Sequence, residues 1–158
     1  MQDAHWAALA RINALSALAQ IVQIGTMSPL LSLSLQHRGI SQAITGLILR
    51  ASWIAILCFY KITPHILYKF GLVRSNCISA AISIAGIIGI SQCTNILLVC
   101  ILNFFIGIGL ILRWIACDTW IVSVAAREER GRAIGLHETL MWLGIALGPL
   151  IIVDSKLS

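Results

Sequence analysis

The sequence predicts an all-α membrane protein, a polytopic transmembrane helical bundle of about five spans. Of its 158 residues, 59% are hydrophobic and only 11% are charged, whereas soluble domains carry about 25% charged residues. The apolar residues form long continuous runs rather than the alternating segments of about ten residues that build membrane barrels, so helices are favoured. Such a chain must be solvated by lipid, and we expect residues 1–158 to form a single transmembrane domain.

A helix needs about 20 mostly apolar residues to cross a bilayer core of about 30 Å. Runs of about this length and composition occur along the whole sequence. The expected spans cover about residues 12–35, 43–60, 77–91, 96–122 and 133–153. An amphipathic extension from Ile62 to Tyr68 follows the second span, and the third span is the shortest. Pro29 either bends the first span or marks its outer end, since membrane helices accommodate proline in both ways.

Basic residues are distributed unevenly between the loops. With a cytoplasmic N-terminus, the inner side receives Arg11, Lys61, Lys69, Arg74, Arg127, Arg130 and Arg132, and the outer side receives Arg38 and Lys156. Because cytoplasmic loops collect Lys and Arg, we expect an integral protein of the plasma (inner) membrane in that orientation. The net charge of +5 does not indicate nucleic-acid binding, since the basic residues form no stripe with interleaved aromatics.

The first span carries a polar face formed by Asn13, Ser16, Gln20 and Gln23, at steps of three and four residues. An unsatisfied polar group in hydrocarbon costs several kcal/mol, so this face must turn inward. It lines either a contact between helices or an aqueous pathway, and the sequence leaves both open. We take Gln20 and Gln23 as candidate solute-binding residues.

Ionisable residues inside the spans are Arg50, Arg113, Asp118, His137 and Glu138. A charged side chain at a helix centre costs about 2.5–3.5 kcal/mol on insertion scales, so each residue needs a structural or functional reason. Arg113, Asp118 and Glu138 lie toward the cytoplasmic halves, where snorkelling lowers the cost. Arg50 either snorkels to the outer interface or presents a cation to an anionic solute in a central cavity.

No catalytic or metal-binding constellation is visible. The cysteines lie in or beside apolar runs, without a C-x-x-C pair or histidines at metal spacing. Ser79, Ser83, His137 and Glu138 are not united by any spacing that would place a base beside a nucleophile. We therefore expect no metal, no cofactor and no enzymatic activity.

Glycines in the last two spans have the spacing of close helix contacts. Gly107 and Gly109 form a G-x-G pair, and Gly144 and Gly148 form a G-x-x-x-G motif that is followed by Pro149. Small residues at such spacing let helix backbones approach closely in membranes. Helix packing is therefore the expected role of these five residues.

The order of these motifs resembles the fourth and fifth helices of the major facilitator superfamily, with the loop between them. The resemblance rests on the G-x-G pair, the short charged loop ending Arg130-Gly131-Arg132, and the final G-x-x-x-G-P. The run from Cys117 to Trp120 is similar to the acidic-Ser-Trp segment of sugar-transporter-like and multidrug-like members. The chain thus looks like a partial N-terminal domain of that family.

The loop after the second span is similar in part to the family's G-x-x-x-D-R-x-G-R-R signature. Lys69, Gly71 and Arg74 correspond to its basic and glycine positions, which implies a gating loop. Tyr68 stands where the family has an acid that latches its two halves, and Pro64 replaces the first glycine. Asn103 occupies the position of a fourth-helix arginine in proton-coupled exporters, so proton coupling by that route is not expected.

The resemblance implies a secondary active transporter of small solutes that works by alternating access, with Gln20, Gln23, Arg50 and Asn103 contacting the solute. The family has about twelve spans in two halves, so we expect a chain that ends after the fifth helix and is incomplete as it stands. Expected partners are the lipid bilayer, an unidentified small solute, and a second half-transporter chain or a second copy. The alternative is a non-transporting membrane protein, either a degenerate fragment or a helix-packing partner.

Overall fold

The computed structural model describes residues 2–154, and within that range all regular structure is helical. The elements are α1 (Gln2–Gln20), a π-helical segment (Ile21–Thr26), α2 (Met27–His37), α3 (Gln42–Phe59), α4 (Thr63–Phe70), α5 (Leu72–Gln92), α6 (Ile96–Val124) and α7 (Arg130–Asp154). Lys156, expected on the outer side, lies outside the described residues.

Within the described residues, five helical stretches are long and apolar enough to cross a membrane. They are Leu9–His37, Gln42–Phe59, Leu72–Gln92, Ile96–Val124 and Arg130–Leu150. The all-α, five-span fold class predicted from the sequence is therefore confirmed. Their outward faces carry large apolar side chains, such as Leu15, Leu57 and Leu97, which are the surfaces that lipid would cover.

The first span is one continuous helical stretch with a wider turn in its middle. In the π-helical segment, the N–H of Met27 donates to the carbonyl of Val22, five residues back. Pro29 lies inside α2, which continues to His37, so of the two alternatives for Pro29, the one in which it marks the outer end of the span is wrong. Helical backbone can continue past a proline because the ring's fixed φ suits a helix, although one hydrogen bond is lost.

The third span begins at Leu72, earlier than the predicted residue 77, and the second span, with 18 residues, is shorter than the third, with 21. The amphipathic extension is a separate helix, α4, and Gly71 divides it from α5. Gly71 has φ 79° and ψ 162°, a conformation essentially restricted to glycine. Arg74 lies in the first turn of α5 with an exposed side chain, so its charge does not prevent the helix from starting before it.

The helices form two compact units. The terminal unit comprises the residues up to Leu31 and those from Cys117 onward, and the central unit comprises Ser32–Ala116. In the terminal unit, α7 packs along α1 and the π-helical segment. Its apolar core is formed by Leu9, Ile12, Cys117, Ile121, Ala125 and Ala133.

The central unit is held by close contacts of α6 with α3 and α5. Gly107 lies against the backbone of Ser52, where a Cβ atom has no room. Gly109 lies against the backbone of Ser79, and the Ser79 hydroxyl donates to the Gly109 carbonyl over 2.8 Å. Glycines here therefore permit the backbone approach that membrane helix packing uses.

Candidate functional site

The polar face of the first span is buried within the terminal unit. Asn13, Ser16, Gln20 and Gln23 are 5%, 3%, 2% and 7% exposed, respectively. Together with Asp118 of α6 and His137 of α7, these residues form what we call the polar seam. Because burial of a polar group is costly unless it is bonded, the partners of each member indicate what the seam can do.

At one end of the seam, His137 connects three helices. The ring is fully buried, and its Nδ1 lies 2.8 Å from Oδ1 of Asn13. Its Nε2 lies 3.8 Å from Oδ1 of Asp118, which is too long for a hydrogen bond but within ion-pair distance when the ring is protonated. No spacing along the chain unites these residues, because they lie on different helices.

Next along the seam, Ser16 and Gln20 bond to sulfur. The Ser16 hydroxyl donates to Sγ of Cys117 over 3.2 Å, and Nε2 of Gln20 donates to Sδ of Met141 over 3.5 Å. Thiols and thioethers are weak acceptors. The carbonyl oxygen of Gln20, Oε1, accepts no hydrogen bond within the described part of the chain. The amide of Gln20 is thus the least satisfied polar group of this face and has capacity for another ligand.

Gln23 is buried in the π-helical segment, one turn beyond Gln20. π-Helical turns occur frequently at functional sites. The same segment contains Gly25, which lies directly against Gly148 of α7. At this end of the seam, the amide side chain of Gln23 therefore lies in the segment whose backbone approaches that of α7 most closely, at Gly25 and Gly148.

The other two predicted solute contacts belong to the central unit. Asn103 is buried, and its Nδ2 donates to the carbonyl of Ile48 over 2.8 Å. This bond links α6 to α3, so part of the Asn103 amide has a structural role. Arg50 lies two residues beyond Ile48 on α3, with an exposed side chain.

The predicted gating loop is exposed throughout. Lys69, Gly71 and Arg74 are all exposed, and Nζ of Lys69 lies 5.7 Å from the ring centroid of Phe70, within cation–π range. Tyr68, which stands in place of the family's acid, is 92% exposed. The phenol therefore has little contact with its own unit.

The α7 glycines lie against the first span. A Cβ atom on Gly144 would come within 2.8 Å of the carbonyl oxygen of Ala17, and Gly148 packs on the backbone of Gly25. Pro149 is exposed on the outside of this contact. Neither Ala17 nor Gly25 was identified from the sequence, although the small side chains at these positions are the signal that could have found them.

No group of three or more His, Cys, Asp or Glu side chains within the described residues is arranged to hold a metal ion. The polar seam itself offers hydrogen-bonding amides and a hydroxyl, and the titratable side chains of Asp118 and His137. Both are properties of a solute-binding or proton-binding site.

Helices of membrane length, packed through glycines around buried polar side chains, define a polytopic helical membrane protein. Residues 13–153 match the family model of the Major Facilitator Superfamily, and the chain belongs to that family.

Two curated relatives are similar to this chain. It is 27% identical over 158 residues to the uncharacterized MFS-type transporter YfkF of Bacillus subtilis (strain 168), covering 100% of this chain and 39% of that protein. It is 22% identical over 129 residues to the uncharacterized MFS-type transporter Ent638_1421 of Enterobacter sp. (strain 638), covering 82% of this chain and 34% of that protein. The chain thus spans less than two fifths of the length of either relative. No solved structure gives a significant match.

Proposed function

We propose that the chain forms part of a secondary active transporter of small solutes that works by alternating access. Membership of the Major Facilitator Superfamily supports this function. The observation that carries the proposal at the level of residues is the buried, incompletely bonded amide of Gln20 on the polar face of the first span. A helix contact alone would favour a satisfied or apolar side chain at that position.

Gln20 and Gln23 are the proposed solute contacts of the terminal unit. Asn13 and Ser16, on the same helix face, are bonded to His137 and Cys117 and hold helices together. The seam thus divides into a structural end and an end where the amide of Gln20 can exchange its weak bond to Met141 for a solute. This second end is buried in the structure, and alternating access would require it to meet water in another state.

Arg50 and Asn103 are the proposed solute contacts of the central unit. The exposed guanidinium of Arg50 suits an anionic group on the solute. Asn103 combines its bond to Ile48 with an amide oxygen that can accept from a solute. Sugar-like and drug-like solutes are both compatible with amide contacts of this kind.

The proposed location is the inner membrane with a cytoplasmic N-terminus. Support comes from the basic residues, which concentrate at the α3–α5 connection and at the start of α7. Short cytoplasmic loops collect such residues. In this orientation the exposed Lys69 and Arg74 lie on the cytoplasmic side.

The proposed partner is a second half-transporter chain or a second copy of this chain. Alternating access in the family rocks two halves about a central site, and this chain spans 39% of its relative from Bacillus. The measurement is the molecular size of the purified chain in mild detergent. For assembly with a second copy we expect a defined complex of two chains, and a dispersed monomer would contradict that form of the assembly.

Uptake into proteoliposomes tests the transport function. The chain is reconstituted and a panel of labelled sugars and amphiphilic drugs is screened under an imposed proton gradient. We expect uptake of at least one solute above protein-free vesicles. Gln23→Leu should reduce it about five- to tenfold, because a lost hydrogen bond is worth about 1 kcal/mol.

The matched control is Gln36→Leu, which removes an exposed glutamine from the same span and should leave uptake unchanged. Flat uptake by correctly inserted, assembled protein would instead favour the non-transporting alternative. That alternative is supported by the exposed Tyr68 in place of the family's latching acid.

A further inference from the structure

We propose that His137 and Asp118 form a proton-binding site inside the terminal unit, with one proton bound by either the imidazole Nε2 or the carboxylate Oδ1, which lie 3.8 Å apart. Asn13 is its positioning residue. The inference concerns protonation of the chain's own helices and does not rest on the proposed transport function.

The first step of the argument is the tautomer of His137. Nδ1 lies 2.8 Å from Oδ1 of Asn13, and an amide oxygen can only accept, so Nδ1 carries a hydrogen and donates it. In the neutral ring Nε2 is then an acceptor, and this is the atom that faces Asp118. The neutral imidazole and the ionised carboxylate therefore present two acceptors to each other.

The second step is the cost of that arrangement. The two acceptor atoms are 3.8 Å apart, the ring is fully buried, and Oδ1 of Asp118 is buried although its side chain is 37% exposed. Where water is scarce, two facing lone pairs are unfavourable. One proton taken up from bulk water removes the repulsion between the lone pairs by binding to either atom. If it binds to Nε2, the pair is an imidazolium beside a carboxylate, and if it binds to Oδ1, the pair is an imidazole beside a carboxylic acid. Both forms of the pair are net neutral, whereas the pair without the proton carries one negative charge, which is costly at membrane depth.

The third step is the surrounding charge. Glu138 is the next residue on α7, is half-buried, and carries a second carboxylate. The basic side chains on the same three helices are Arg11 of α1, Arg113 of α6, and Arg130 and Arg132 of α7, and all of them except Arg113 are exposed. The bound proton would remove the repulsion between α6 and α7 across the pair while Asn13 ties the ring to α1, so its release would loosen this end of the polar seam.

Nitrogen NMR of the intact chain tests the site. The chain is labelled with ¹⁵N-histidine and placed in lipid nanodiscs, and the His137 signals are those that disappear in His137→Gln. We expect the neutral ring to be protonated at Nδ1. Asp118→Asn should move the midpoint of the His137 titration by about one pH unit or more, since a charge at this distance has an effect of that size. The control Glu128→Gln removes an exposed carboxylate from the α6–α7 loop and should leave the midpoint in place.

A neutral ring protonated at Nε2, or an equal midpoint in Asp118→Asn and Glu128→Gln, would overturn the proposal. If Asp118→Asn does not fold, thermal unfolding of the wild type and two histidine variants between about pH 5 and pH 8 decides instead. His137→Gln should lose most of the pH dependence of the unfolding midpoint, whereas His65→Gln, on the exposed side of α4, should keep it. If the unfolding midpoints of His137→Gln and His65→Gln depend on pH to the same extent, the proposal of a proton-binding site is overturned.

Discussion

Gly148→Val is expected to be the most destabilising single substitution in the terminal unit. Gly148 lies on the backbone of Gly25, and a Cβ on Gly25 would in turn approach Cα of Gly148 to 2.9 Å. Both neighbours are backbone atoms, so no flexible side chain can move aside and the helices must separate. We expect a loss of about 3 kcal/mol or more, at the upper end of overpacking costs. The measurement is thermal unfolding in detergent, followed by tryptophan fluorescence.

The same helix offers a matched control for this prediction. A Cβ on Gly135 of α7 would meet no atom within 4 Å, so Gly135→Ala tests the loss of a glycine without the steric conflict. We expect it to be neutral or to stabilise by up to about 1 kcal/mol, because alanine is the better helix former. Equal destabilisation by the two substitutions would show that α7 does not depend on the backbone contact.

Asn13→Leu is expected to have the second largest effect. It leaves the buried Nδ1–H of His137 without its 2.8 Å acceptor, and stranding a buried donor costs about 1–3 kcal/mol. His137→Leu leaves the side-chain oxygen of Asn13 without its donor in the same way. The double variant removes both partners, so its cost should be well below the sum of the two single costs. Unfolding free energies of the four proteins form the cycle that measures this coupling.

Strict additivity in that cycle would contradict the hydrogen bond between α1 and α7. Ser123→Ala is a suitable reference, because the Ser123 hydroxyl is exposed and bonds only within its own helix, to the carbonyl of Trp120. Combined with Asn13→Leu, it should show no coupling. A coupling as large as that of the Asn13 and His137 pair would show that the cycle reports general loosening rather than one bond.

The sequence predicted the helices well because lipid solvation imposes a strong and local pattern. Runs of apolar residues revealed the spans, and the polar face of the first span appeared directly in its three- and four-residue steps. The errors arose where a single residue decides a boundary. Arg74 delayed the predicted start of the third span, although its exposed side chain allows the helix to begin at Leu72. Pro29 suggested a possible helix end, but the backbone continues through it.

The candidate site was predictable only in part. Contacts between helices depend on how each helix is rotated about its own axis and how far it is shifted along the bundle, and neither can be derived from the sequence of one span. Gln20 and Gln23 could be identified, but not the weak bond of Gln20 to Met141. Asn103 was expected to face solute, and its bond to Ile48 became visible only when α3 and α6 were placed together. His137 looked isolated because its partners, Asn13 and Asp118, are distant in sequence.

The most direct test of the account is whether the far end of the polar seam meets water. Single cysteines are introduced at Gln20, Gln23, Ser16 and Leu18, in a background with the five native cysteines replaced by alanine, and membranes are treated with a small charged thiol reagent. Thiols react as thiolates, which form in water and not in lipid. We predict modification at positions 20 and 23, with no reaction at the closed position 16 or the outward-facing position 18. If positions 20 and 23 are as inert as position 16, the polar face is a helix contact only, and the proposed solute pathway is wrong.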